Sequence, residues 1–171
     1  PMYFDQAMYS WNHLAGAAME RYGADRLTIP VELNEREIRD SGVQGEMIVY
    51  GYLPMMISAQ CIRKTTLGCS GKSEIMWLKD RKDMRFPVVN QCRFCYNTIY
   101  NSAPLSLLGL SEQVTGLKPN AVRLNFTVEE PAAAGEILDA FFEEYGMSEK
   151  AAEPPVLRNQ FTRGHFKRGV E

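Results

Sequence analysis

Histidine is almost missing from this chain of 171 residues, with His13 and His165 its only two. No His-Glu-x-x-His segment exists, which excludes that class of zinc hydrolase, and no Gly-x-Ser-x-Gly turn presents the serine of an α/β hydrolase. No apolar run approaches the ~20 residues needed to cross a bilayer, and no charged-then-apolar leader opens the chain. Charge of one sign is lacking too: 19 basic against 21 acidic side chains leave a formal charge of −2. A domain built mainly to grip nucleic acid would be clearly basic. There is no internal repeat and no low-complexity tract. What is present, 45% apolar and 23% charged residues, suits one folded domain over residues 1–171. The expectation is a cytoplasmic domain with no membrane partner. Pro1 stands where a methionine is usual, and Met2-Tyr3-Phe4-Asp5 reads straight into a strand end, as if a longer protein had been cut there.

Hydrophobic spacing predicts alternating strands and helices. A helix is expected over residues 10–22, with Ser10 as N-cap, Leu14, Ala17, Ala18 and Tyr22 as its apolar stripe, and Gly23 as its stop. A short strand follows at 27–31. Asn34 then opens a second helix, with Glu37 placed to complete a capping box. A strand at 46–50, its apolar character running on through 53–57, completes a strand–helix–strand unit of the parallel α/β kind. Residues 74–79 and 84–89 read as a hairpin around Asp80-Arg81-Lys82-Asp83, with Pro87 placing the second strand at an edge. The α/β pattern returns with a short helix at 111–117, a strand at 122–126 and a strong helix opened by Glu130-Pro131. Ala134, Ile137, Leu138, Phe141 and Tyr145 form the buried stripe of that helix, and Gly146 ends it. Residues 147–155 read as a loop and 161–171 as a basic, solvated tail. The fold class expected is α/β, half of a TIM-like (β/α) barrel with a cysteine-bearing hairpin inserted over 58–95.

Only four cysteines occur, Cys61, Cys69, Cys92 and Cys95, all in one stretch. The Cys92-Arg93-Phe94-Cys95 spacing lets two thiolates reach one metal centre from a single turn. Disulfides are disfavoured by the size of the chain and the lack of a secretory leader. Four thiolates suit tetrahedral zinc or an iron–sulfur cluster equally, with the irregular spacing leaning toward the cluster.

The segment from Glu46 to Cys61 resembles the signature of peptidase family U-32, the collagenase-like peptidases, with Glu46, Ile48, Gly51, Leu53 and Cys61 at matching positions. Pro54 stands where the signature has its first cysteine, Tyr52 replaces a small residue, and Ala59 replaces a glycine. Similar phrases occur at Pro30-Val31-Glu32-Leu33-Asn34, at Asp80-Arg81, at Cys95-Tyr96-Asn97-Thr98 and in the closing Thr162-Arg163-Gly164-His165-Phe166-Lys167. The resemblance implies an eight-stranded β/α barrel, of which this stretch is the C-terminal half. Its missing N-terminal half would be the chief partner, and the fragment alone would be inactive and prone to self-association. The implied activity is that of a protease (a hydrolase) acting on peptide. The alternative is an oxygen-independent hydroxylase of tRNA, rRNA or a quinone precursor, using a 4Fe-4S cluster. A third option is a structural half-domain without activity of its own. By this resemblance Cys61 is a cluster ligand, Cys92 and Cys95 match a later cysteine segment, and Cys69 joins them by clustering. Arg163, His165, Lys167 and Arg168 are candidates for contact with an anion or substrate. Glu32 and Asn34 close a strand, where barrels gather functional groups, although a helix cap accounts better for Asn34.

Overall fold

The computed structural model describes residues 1–147 and 161–169. Its frame consists of short parallel strands separated by helices. Strand β1 (Tyr3–Phe4) leads through helix α1 (His13–Arg21) to β2 (Arg26–Leu27), which pairs with β1 in parallel. Helix α2 (Glu35–Ser41) leads to β3 (Glu46–Gly51), joined to the end of β2 by a parallel bridge between Thr28 and Glu46. The last parallel strand, β9 (Ala121–Asn125), lies along the other side of β3. It is preceded by helix α4 (Ser111–Gly116) and followed by helix α5 (Pro131–Glu144). Among the described residues this mixed α/β frame does not close into a barrel.

Between β3 and β9 the chain makes a larger excursion than a hairpin. Strands β4 (Pro54–Ser58), β5 (Ile75–Lys79), β6 (Arg85–Gln91) and β7 (Tyr96–Tyr100) form an antiparallel sheet in the order β4-β7-β6-β5. Helix α3 (Ile62–Thr66) lies between β4 and β5, and the two-residue β8 (Leu105–Ser106) then returns to pair antiparallel with the end of β3. The apolar run after Tyr50 is therefore two strands in different sheets, broken at Tyr52-Leu53. Strand β6 lies between β5 and β7, so Pro87 is not on an edge strand. It is tolerated because the β6–β7 register begins only at Val88, so the missing N–H falls beyond that ladder.

Local signals account for most helix ends. Asn34 Oδ1 accepts from Glu37 N–H while Glu37 Oε2 accepts from Asn34 N–H, the expected capping box. Helix α5 has Pro131 in its first turn and buries Ile137, Ala140 and Phe141. Burial of Ile137 and Phe141 contributes about 2 kcal/mol each. The expected N-cap of α1 is corrected: Asn12 Oδ1 accepts from Ala15 N–H, whereas Ser10 is buried and donates to Thr28 O. Its expected stripe is corrected as well. Leu14 and Tyr22 are exposed, at 70% and 80%, and Gly16 is the buried residue of the helix because it packs against Val43 and Leu27.

The core joins Ile29, Leu33 and Ile38 to Met47, Ile48 and Val49 of β3, to Leu105, Leu107 and Leu108, and to the buried face of α5. Phe166 completes it. The segment 161–169 is thus not a solvated tail: Thr162 pairs with Leu105, and Glu35 N–H donates to Phe166 O. Residues 148–155 of the expected loop, and Val170 and Glu171 of the expected tail, lie outside the described residues.

Candidate functional site

The cysteine-bearing excursion is built so that two chain segments face each other. Gln60 and Cys61 follow β4, and Cys61 Sγ accepts from Lys64 N–H at the start of α3. The opposite segment is a 3-10 turn over Cys92–Phe94 that ends at Cys95, a left-handed residue with φ of 54°. Cys69 lies in the loop between α3 and β5, near Gly68 and Gly71, both with positive φ.

Two buried asparagines hold these segments in place. Asn97, fully buried on β7, donates from Nδ2 to Gln60 O at 2.7 Å and to Ser58 O at 3.3 Å. Asn90, 1% exposed on β6, accepts from Glu74 N–H, donates to Lys72 O at 3.4 Å and stands 3.7 Å from Cys92 Sγ. Cys92 N–H donates to Ser73 Oγ. Glu74 is itself anchored by Ser70 at 2.9 Å and by Arg63 at 2.6 Å, and these hydrogen bonds, that of Ser70 first, hold its carboxyl below the usual range.

Cys61, Cys69, Cys92 and Cys95 line one cavity of about 460 Å³, together with Lys64, Asn90 and Tyr96. All four are free thiols. Burial pushes the Cys92 thiol up, and the charges of Cys69, Cys61, Cys95 and Glu74 push it further. Among the described residues, however, no set of three or more His, Cys, Asp or Glu side chains is arranged to hold a metal ion. The cysteines share a cavity and do not form a preformed tetrahedron.

A second constellation lies where β3 and β9 end. Gly51, with φ of 150°, lets these strands close up, since a Cβ there would meet Asn125 O at 2.5 Å. Beyond β9, Glu129 Oε2 accepts from the N–H groups of Thr127 and Val128 at 2.6 and 3.0 Å. Burial first, and then the Glu129 charge, raises the phenols of Tyr50 and Tyr52 above the usual range, with a Tyr50–Glu129 hydrogen bond adding to it for Tyr50; for Tyr100 burial leads, followed by Tyr96 and then Glu129. Tyr50 is buried and packs against Phe126, with ring centroids 5.7 Å apart.

At the opposite end of the strands, Arg123 joins Asp5 at 2.9 Å, Glu46 at 2.6 Å and Thr28 Oγ1 at 2.7 Å beside a cavity of about 470 Å³. Burial alone would raise the Asp5 carboxyl, but Arg123 and Gln6 N–H outweigh it and hold the group below the ordinary value.

No protein-family model, curated protein or solved structure matches this chain.

Three of the four candidates of the closing segment, Arg163, His165 and Lys167, are engaged internally. Arg163 Nη1 donates to Ser106 O at 2.8 Å and Leu108 O at 2.6 Å, and its guanidinium stacks over Phe161. His165 Nδ1 lies 2.8 Å from Gly169 O, and Lys167 pairs with Glu35 at 3.7 Å. Arg168 is exposed and gives its N–H to His165 O. Asp80 Oδ1 accepts from the N–H groups of Lys82 and Met84, so it closes the hairpin turn. Asn34 is the cap already described. Sequence reading missed Asn90, Asn97 and Glu129. Asparagine is a poor strand former, so two of them flanking Cys92 and Cys95 inside strand patterns were a usable sign of long-range hydrogen bonding. Nothing local singled out Glu129 among the acidic residues.

Proposed function

We propose that this chain is the cysteine-bearing part of an enzyme similar to peptidase family U-32, built as half of a (β/α) barrel, and that its four thiols hold an iron–sulfur cluster. Of the activities that resemblance implies, oxygen-independent hydroxylation of an RNA base or a quinone precursor fits this site better than peptide hydrolysis. The half-barrel reading is supported by the parallel pairings β1–β2 and β3–β9, the bridge between Thr28 and Glu46, and the intervening helices. Among the described residues β1 and β9 have no partner on their outer edges. Complementary strands from a second half of the same architecture would cover them.

The observation that carries the proposal is the cavity shared by Cys61, Cys69, Cys92 and Cys95. With Zn–S bonds of about 2.3 Å, tetrahedral zinc would hold sulfurs about 3.8 Å apart. An all-cysteine ligand set suits a four-iron cluster as well as zinc, and the irregular spacing of the four cysteines leans toward the cluster, whose larger size tolerates wider ligand separation. When bound, such a cluster supplies one-electron chemistry beside Tyr96. The chain's own residues do the positioning: Asn97 holds the segment before Cys61, Asn90 holds the segment before Cys92, and Lys64 adds positive charge at the cavity. Hydrolysis has weaker support. His13 is exposed on α1 and His165 is bonded to its own loop, so neither is placed to activate a nucleophile.

Anaerobic purification with iron, sulfide and zinc analysis tests the proposal. About four iron and four sulfide per chain are expected, with large losses in C92S and C95S. One zinc per chain without sulfide, or full loading of both variants, would sink it.

A further inference from the structure

The cysteine-bearing excursion carries a charge that the near-neutral balance of the whole chain hides. Over residues 54–100 eight basic side chains stand against three acidic ones, whereas the rest of the chain holds 11 basic and 18 acidic. The positive charge gathers at the β5–β6 hairpin. Arg81, Lys82 and Arg85 are exposed there and make no ion pair among the described residues. Apolar groups share this surface. Register sets Ile75 opposite Val89, Trp77 opposite Pro87 and Lys79 opposite Arg85, and carries the row of Val89 across Thr98 to Ile57. Directly opposed residues point to the same side of a sheet, as do alternate residues of one strand, so Ile57, Ile75, Trp77 and Arg85 lie on one face. Ile57 is 70% exposed, Trp77 55% and Ile75 45%. An open tryptophan ringed by free cations has the make-up of a contact centre and its rim.

The complementary surface is on the same chain. Residues 126–147 carry six acidic side chains and no basic one. Glu129 and Glu144 are taken up by backbone N–H groups. Glu136, Asp139 and Glu143 recur at three-and-four spacing along α5, outside the buried face of Ile137, Ala140 and Phe141, and have no ion-pair partner among the described residues. Phe142, 41% exposed, and Met147, 60% exposed, add apolar surface beside this stripe. From Glu136 to Glu143 the helix rises about 11 Å, close to the roughly 13 Å from Ile75 to Lys79 along β5.

We propose that the hairpin face of one copy docks on the α5 stripe of a second copy. Trp77 packs against Phe142 and Met147, while Arg81, Lys82 and Arg85 pair with Glu136, Asp139 and Glu143. Ile57 and Ile75 make a protein the better occupant than a nucleic acid, because phosphates offer nothing to aliphatic side chains. The chain's own helix supplies both the negative charge and the apolar groups that the sheet face calls for. The contact joins two different surfaces, so each bound copy still presents one free surface of each kind, and assembly proceeds to a ring or a filament. Neither the thiols nor the open edges of β1 and β9 take part, so this contact stands or falls separately from the cluster.

Sedimentation velocity of the purified chain over a dilution series, with a thiol reductant present, is the test. Association that weakens about tenfold or more between about 50 and 500 mM NaCl is expected. The triple variants R81E/K82E/R85E and E136K/D139K/E143K should each abolish it. A one-to-one mixture of the two variants should restore it, because the reversed charges again face opposite ones. In the wild type the indole N–H NMR signal of Trp77 should move with concentration, whereas that of Trp11 should not. Should a triple variant fail to fold, the salt dependence and the Trp77 signal still decide. A chain that stays monomeric up to about 0.2 mM, association indifferent to salt, an unmoved Trp77 signal, a triple variant that associates as wild type, or a monomeric mixture overturns the proposal. Tighter binding of the hairpin face to an oligouridine than to a second copy also overturns it, and would assign that face to nucleic acid.

Discussion

Asn90 is the residue whose replacement tests most directly how the fold supports the thiol cavity. Its side chain is 1% exposed, accepts from Glu74 N–H and reaches Lys72 O and Cys92 Sγ with its amide. In Asn90→Ala the Glu74 N–H loses its acceptor, at a cost of about 1–2 kcal/mol. The volume vacated by the amide adds about 1 kcal/mol. The contacts at 3.4 and 3.7 Å are long and add little. The sum is about 2–3 kcal/mol, or roughly 5–10 °C in melting temperature for a chain of this size. Asn90→Asp separates fold from site. It keeps the acceptor for Glu74 but turns an acceptor oxygen toward Lys72 O and a negative charge toward Cys92. It should therefore lower iron uptake on anaerobic reconstitution more than its stability loss accounts for, and lower the reactivity of the Cys92 thiol. Melting followed by circular dichroism, with iron analysis and thiol titration on the same preparations, reads both effects. An N90A melting temperature within 2 °C of wild type, or wild-type iron uptake by N90D, would refute the reasoning.

Three other outcomes are expected. Gly51→Ala should cost about 3 kcal/mol in urea unfolding, since a Cβ there meets Asn125 O at 2.5 Å and φ is 150°; a loss below 1 kcal/mol would contradict the close approach of β3 and β9. Arg163→Met should cost about 2–3 kcal/mol by unpairing the carbonyls of Ser106 and Leu108, and R163K should recover part of it; a neutral R163M would return that arginine to the list of ligand contacts. Asp5 has its folded-state pKa depressed by Arg123, so its stabilising contribution is present above the ordinary carboxylate value and is lost as pH falls through the lowered one. Asp5→Asn should flatten the fall in melting temperature between about pH 5 and pH 2, by a modest amount because the side chain is 62% exposed, and unchanged profiles would exclude the pair as a contributor.

The sequence by itself determined what depends on neighbours a few residues apart. The Asn34–Glu37 capping box, the Pro131 start and Gly146 stop of α5, the strands β3, β5 and β9, and the grouping of four cysteines were all legible, because their physics is confined to one turn, one strand or one short segment. Tertiary structure decided the rest. Ser10 and Asn12 are both good caps, and only the distant Thr28 carbonyl draws Ser10 away. Leu14 and Tyr22 have the spacing of a buried stripe, yet α1 packs through Gly16, where the absence of a side chain lets it approach Val43. Pro87 lies inside a sheet because the β7 ladder starts one residue later. Arg163 and Lys167 read as a basic tail until Phe166 enters the core and carries them onto carbonyls and Glu35. The thiol cavity shows both contributions. Its cysteines stand out along the chain, but Asn90, Asn97 and the facing of α3 toward the 92–95 turn arise from pairing between strands far apart in sequence, and register of that kind is set by long-range packing that no local pattern encodes.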